Sequence, residues 1–243
     1  MKKFLSILSL LSVALLSFTS CDDGYVNEKK KNVSTDGYIV VLQGTINGIE
    51  DWTDNKYKPV IAGYTEDSEY ATIQSSIQQS GAFNDTLSNV PLTTQLIGVA
   101  IANRIRGRVA LISNYQIPEN QSVSDTIKID LGKLDLSMFG VVNQCIFQDM
   151  SCSICHQGDN PAGSLNLTAD NAYSNLVNVT SHKNPAYTRV VPGDASKSFI
   201  YKVVTEGDDN VHYSHTVFFT DDNFAPRLDL LKYWIDKGAP NNQ

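Results

Sequence analysis

The chain has 243 residues, a length that suits one or two compact domains, and 42% apolar content with 11 Tyr and 9 Phe is enough to fill a core. Its formal net charge is −7; without Lys2 and Lys3 the 19 basic residues become 17 against 26 acidic ones, a charge of −9. That balance speaks against nucleic acid as a partner, because phosphate binding needs clustered Lys and Arg.

Residues 1–20 read as a processing segment. Met1-Lys2-Lys3 is a short positive start, and Phe4 to Phe18 is apolar but too short for a span of about 20 residues. Thr19 and Ser20 are small, and Cys21 follows. The pattern resembles a bacterial lipoprotein signal, in which Cys21 becomes the lipid-modified first residue of the mature chain. A plain secretory signal with an incidental cysteine is the alternative. The lipoprotein reading implies a bacterial cell-envelope protein anchored to the outer membrane, on its periplasmic side or at the cell surface, since several acyl chains give stable anchoring. No later segment is long and apolar enough to span a bilayer. Residues 21–36, rich in Asp, Asn, Ser and Lys, read as a flexible tether.

From Gly37 the pattern turns to period two. Tyr38 to Leu42 predicts a strand, continued by Gly44-Thr45-Ile46 to a turn at Asn47-Gly48. Lys56 to Ala62 predicts a second, which Pro59 confines to a sheet edge or a strand start. Tyr70 to Ile77 alternates and fits a strand or a short helix. Leu96 to Ala102 is continuously apolar, as in a buried strand, and Arg108 to Tyr115 is the next after a turn at Arg106-Gly107. Ser124 to Leu131 alternates once more. Short strands separated by turn residues predict an antiparallel β-sandwich over residues 37–136. This half holds no motif of catalysis or metal binding, so it reads as a structural or partner-binding module.

After Leu136 the pattern becomes helical, and residues 137–243 predict a small all-α domain; the whole chain is thus expected to be α+β. Val142, Cys145, Ile146, Phe147 and Met150 lie near one face of a helix over Val141 to Cys152. Cys152-Ser153-Ile154-Cys155-His156 follows. Two thiols three positions apart can add across the two vinyl groups of a haem, and the adjacent histidine can then bind the iron from the proximal side. Export fits this chemistry, because such a haem is attached outside the cytoplasm. Of the four cysteines, Cys145 is left over, as a buried small hydrophobe or, alternatively, as a disulfide partner of Cys152. Further helices are predicted with a cap at Thr168, with a cap at Asp194 or Ser196 and an end at Gly207, and over Leu228 to Lys237 with Gly238 as its stop. Asp208-Asp209 and Asp221-Asp222 read as solvated loops.

Residues 140–240 resemble the Planctomycete-type cytochrome c domain, a monohaem class I-like module of exported bacterial proteins. The likeness is carried by Cys152 to His156 and by Leu165-Asn166-Leu167. It continues with Val190-Val191-Pro192-Gly193-Asp194-Ala195-Ser196-Lys197-Ser198 and closes with Trp234-Ile235-Asp236-Lys237-Gly238-Ala239-Pro240. The front half resembles the amino-terminal portion of Bacteroidetes lipoproteins that carry this domain. The resemblance implies one covalent haem c and electron transfer with a redox partner protein, not an enzyme with its own substrate.

One departure from the family is informative. Where such domains offer a methionine in a Met-Pro-Pro segment, this chain reads His212-Tyr213-Ser214-His215, and no methionine follows Met150. The sixth iron ligand is therefore expected to be His215, with His212 second and His182 third. Phe218 and Phe219 would wall the iron. A haem-based sensor with an openable distal site is the alternative function, and a dithiol or zinc protein without haem is a third reading.

Overall fold

A computed structural model describes residues 36–220 and 224–242. The processing segment, Cys21 and the Asp221-Asp222 pair lie outside the described residues. The described residues group as one compact unit, α+β in class, with strands first and helices after. Among the described residues, no helix is long and apolar enough to cross a membrane.

Among the described residues, seven strands form two sheets. The first orders β4 (Gly81–Val90), β1 (Tyr38–Asn47) and β7 (Thr126–Asp135). The second orders β3 (Ile73–Ser76), β2 (Tyr57–Tyr64), β5 (Leu96–Asn103) and β6 (Arg108–Gln116). The second sheet is antiparallel throughout. The first is mixed, because β1 runs antiparallel to β4 but parallel to β7. This corrects the expectation of purely antiparallel strands. Only a short hairpin forces neighbours to be antiparallel, and β1 and β7 open and close the strand region rather than follow one another.

Two further differences have local causes. β4 has no clean hydrophobic alternation, since of its ten residues only Leu87 and Val90 are buried. As an outer strand it faces water along much of its length, which hid it from a periodicity reading. Pro59 lies in β2, an inner strand, and not at a sheet edge. Its β3 neighbour pairs only from Val60 onward, so the missing N–H falls just beyond the short ladder and breaks no pair.

The core is continuous from sheets to helices. Val40, Leu42 and Ile46 of β1, Ile61 of β2 and Ile97, Val99 and Ile101 of β5 share it with Phe139, Phe147 and Trp234. The other face of β5, through Ala100 and Ala102, joins Val60, Ala62 and Tyr64 in a second cluster. Burial on both faces is what its unbroken apolar run requires. The passage from strands to helices is tightly pinned. Leu136 N–H donates to the Asn47 carbonyl at 2.8 Å, and Trp52 Nε1–H donates to the Leu136 carbonyl at 2.7 Å. Gly48 sits at φ +83°, where an added Cβ would lie 2.1 Å from Ser137 N, so only glycine fits. Ser137 Oγ accepts from Gly140 N–H at 3.0 Å and starts α1 (Met138–Val142).

The single helix predicted over Val141 to Cys152 is interrupted. After α1 the chain widens into a π-helical stretch, Asn143–Gln148, and Asp149 N–H reaches back five residues to the Gln144 carbonyl. Asn143 Oδ1 accepts from Gln148 Nε2–H at 2.9 Å, so a side-chain bond bridges the widened turn. Ser151, at φ +61°, then breaks the helix before α2 (Cys152–Cys155).

α3 (Ala172–Leu176) begins later than the cap expected at Thr168, whose hydroxyl is committed to the Asn166 side chain at 2.8 Å. Asp194 does cap, accepting from Lys197 N–H at 3.2 Å, but on a 3-10 turn before α4 (Phe199–Thr205). α5 (Ala225–Asp236) starts earlier than Leu228, with Pro226 in its first turn, where no N–H is missed. Its Trp234 is fully buried against Phe139 at a centroid distance of 5.3 Å and donates Nε1–H to the Pro240 carbonyl.

Trp234→Ala is expected to cost about 3–5 kcal/mol, the range for a large aromatic lost from a core. Ile105→Ser, at a side chain 68% exposed, should stay within about 0.5 kcal/mol of the parent. Urea unfolding of both variants checks the contrast.

Candidate functional site

α2 presents the two spaced thiols. Cys152 is half-buried, and its S–H donates to the Ile146 carbonyl at 3.4 Å, whereas Cys155 is exposed. Burial pushes the Cys152 thiol up to about 11. Cys145 is free and fully buried, and burial pushes its thiol up to about 12. It packs as the small hydrophobe anticipated for it and forms no disulfide with Cys152.

His156 follows α2, with its N–H donating to the Cys152 carbonyl at 3.2 Å and its own carbonyl accepting from Leu167 N–H at 2.7 Å. Its ring Nδ1 lies 2.9 Å from the Ala162 carbonyl and 3.2 Å from that of Leu165. A carbonyl only accepts, so Nδ1 carries the proton and Nε2 keeps its lone pair. Burial holds the imidazole below its usual pKa, outweighing the opposing effect of the Leu165 and Ala162 bonds; the nearby His215 and Arg189 push the same way as burial. The ring is therefore neutral and aimed, the state a ligating histidine needs.

His215 comes to the same place. Its ring centroid is 6.1 Å from that of His156, with the planes tilted by 43°. Its Nδ1–H donates to the Tyr213 carbonyl at 2.8 Å, so it too keeps Nε2 free. Tyr213 and Phe218 flank it at 5.7 and 6.2 Å. His212 and His182 are exposed. Of the two phenylalanines expected beside the site, Phe218 touches His215 and Phe219 is buried. Ile154 at 68%, Tyr213 at 64% and Val217 at 55% exposure are large apolar side chains left open on α2 and on the His215 segment.

Sequence reasoning missed four contributors. The Ala162 and Leu165 carbonyls come from the loop after the motif, and nothing in a residue type marks a backbone acceptor. Tyr213 lies between the two candidate histidines and reads as an ordinary loop aromatic. Arg189 directly precedes the Val190-Val191-Pro192-Gly193 run, yet only 6% of it is exposed, a burial that composition does not betray.

Among the described residues, no three His, Cys, Asp or Glu side chains gather as a metal cage would need. No protein-family description, curated protein or solved structure matches the chain.

The lowered His156 pKa has a sign for stability. The unfolded chain takes up the proton near the ordinary value of 6.5, while the folded chain resists it. Stability is thus fully present above that value and is lost as pH falls through 6.5 toward the folded pKa. Urea midpoints of the haem-free chain from pH 8 to pH 5 should fall, and His156→Gln should flatten that slope.

Proposed function

We propose that this chain is a lipid-anchored c-type cytochrome that holds one covalent haem and serves electron transfer. The observation that carries the reading is the pairing of two oriented imidazoles, His156 and His215, with the thiols of Cys152 and Cys155 directly before His156 in the chain. Each has its Nδ1–H committed to backbone carbonyls and its Nε2 free. Their ring centroids stand 6.1 Å apart. The residues fit the group: two thiols would attach it, two imidazoles would hold its iron, and the open apolar surface of Ile154, Tyr213 and Val217 suits a flat apolar macrocycle.

Cys152 and Cys155 would be the covalent anchors, His156 the proximal ligand and His215, ahead of His212, the distal one. Covalently held haem supplies a one-electron ferric–ferrous couple. The chain's own part is to orient both imidazoles through their Nδ1–H bonds. A second imidazole in place of a thioether favours ferric iron and lowers the reduction potential. On this reading the helical region is a cytochrome c-like domain of the Planctomycete type and the two sheets are a β-sandwich support. The tether and a lipid on Cys21 would hold both at the outer membrane, and the redox partner is another protein.

The full chain, produced in a host that attaches haem, should be low-spin in both oxidation states and slow to take up carbon monoxide. His215→Ala should bind carbon monoxide readily, His212→Ala should not, and His215→Met should raise the midpoint potential. Ready carbon monoxide binding by the unaltered chain would contradict a closed bis-histidine site and favour a ligand sensor. An effect at His212 but not at His215 would move the distal ligand to His212.

A further inference from the structure

The geometry at His156 depends on a loop that contributes no side chain to the site. Residues 162–165 turn sharply, with Gly163 at φ +62° and Ser164 at φ +53°. The Ala162 and Leu165 carbonyls then face His156 Nδ1, and the two carbonyls between them face the other way, toward Arg189. Arg189 Nη2–H donates to Ser164 O at 2.8 Å and to Gly163 O at 3.2 Å, while Nη1–H donates to Asn175 O at 2.8 Å. The backbone of Arg189 is itself fixed. Its N–H donates to the Val179 carbonyl at 2.7 Å, and its carbonyl accepts from Ile200 N–H at 3.0 Å. The guanidinium is thus a rigid strut from a locked strand-like segment to the loop behind the imidazole.

Burying a cation is costly unless its donors are satisfied. Arg189 is 6% exposed, and none of the ion pairs among the described residues includes it. Three carbonyl oxygens serve in place of a carboxylate. Two of them belong to a non-glycine and a glycine residue held in left-handed backbone, a conformation that costs Ser164 energy and needs support. A lysine has the same charge, but its compact ammonium cannot bridge two chain segments as a planar fork does.

We propose that Arg189 is the positioning residue of the site: by clamping the Gly163 and Ser164 carbonyls it aims those of Ala162 and Leu165 at His156, which fixes the Nδ1–H tautomer and presents Nε2. This rests on the haem reading for its purpose but not for its test, which needs no haem. The full chain, made without haem-attachment machinery and labelled with 15N at histidine, reports the tautomer of His156 by NMR, with His156→Gln to assign the signal.

In the unaltered chain the Nδ1–H form should exceed the Nε2–H form by roughly tenfold, the bias one net hydrogen bond confers. In Arg189→Met and in Arg189→Lys that bias should drop to roughly threefold or less while far-ultraviolet dichroism stays native. Variants that lose stability but keep the tenfold bias would reduce Arg189 to a structural residue and overturn the proposal. An Arg189→Lys chain that behaves like the parent would overturn it as well, because charge alone would then suffice. Should Arg189→Met not fold, Arg189→Lys, which retains charge and stem, decides. Should neither fold, the unaltered chain decides, and an Nε2–H tautomer at His156 overturns the proposal. A colourless chain from a haem-attaching host, with the tautomer shift intact, would instead retire the haem reading and leave the positioning role standing.

Discussion

A histidine whose Nδ1–H is taken by two backbone carbonyls has one thing left to offer, the lone pair on Nε2. The rest of the helical region serves that restriction. α2 turns the His156 backbone, the Leu167 amide holds its carbonyl, and the Ala162–Leu165 turn supplies the acceptors. Arg189 braces the turn from behind. The second imidazole, His215, is prepared in the same way by the Tyr213 carbonyl. Hydrogen bonds of this kind set ring orientation, so two imidazoles far apart in sequence arrive oriented in one place.

The strands give this arrangement a foundation. One apolar core runs from β1 and β5 through Phe139 and Phe147 to Trp234, so the π-helical stretch that leads into α2 is packed on both sides. Gln144 Nε2–H ties that stretch to the Ile112 carbonyl of β6 at 2.9 Å, and Gln148 Nε2–H ties it to the Leu167 carbonyl at 2.9 Å. Arg227 of α5 donates to the Cys145 carbonyl in the same stretch. The stretch that leads into the five-residue motif is therefore held by sheet, helix and loop at once, and Leu230, Leu231 and Trp234 of α5 lie in the same core.

What the residues disclose before folding is uneven, for physical reasons. The Cys152 to His156 spacing is local in sequence and is legible at sight. β5, buried on both faces, and α5, with its apolar face and glycine stop, are legible from periodicity. β4 was illegible because an outer strand needs few apolar residues, and the parallel pairing of β1 with β7 because register across a long separation leaves no local trace. The break at Ser151 depends on a left-handed residue that is not glycine. At the site, His215 was legible from its place in the segment that stands where the family offers a methionine, whereas the three carbonyl contacts of Arg189 are encoded by no side-chain pattern.

The proposed chemistry turns on a covalent bond, and a denaturing gel tests it most directly. The mature chain, exported in a host with haem-attachment machinery and stripped of its fold, is stained for haem and its reduced pyridine spectrum is recorded. The account predicts haem that stays with the denatured chain and is absent from a Cys152→Ala/Cys155→Ala variant. A colourless chain with both thiols free would contradict it.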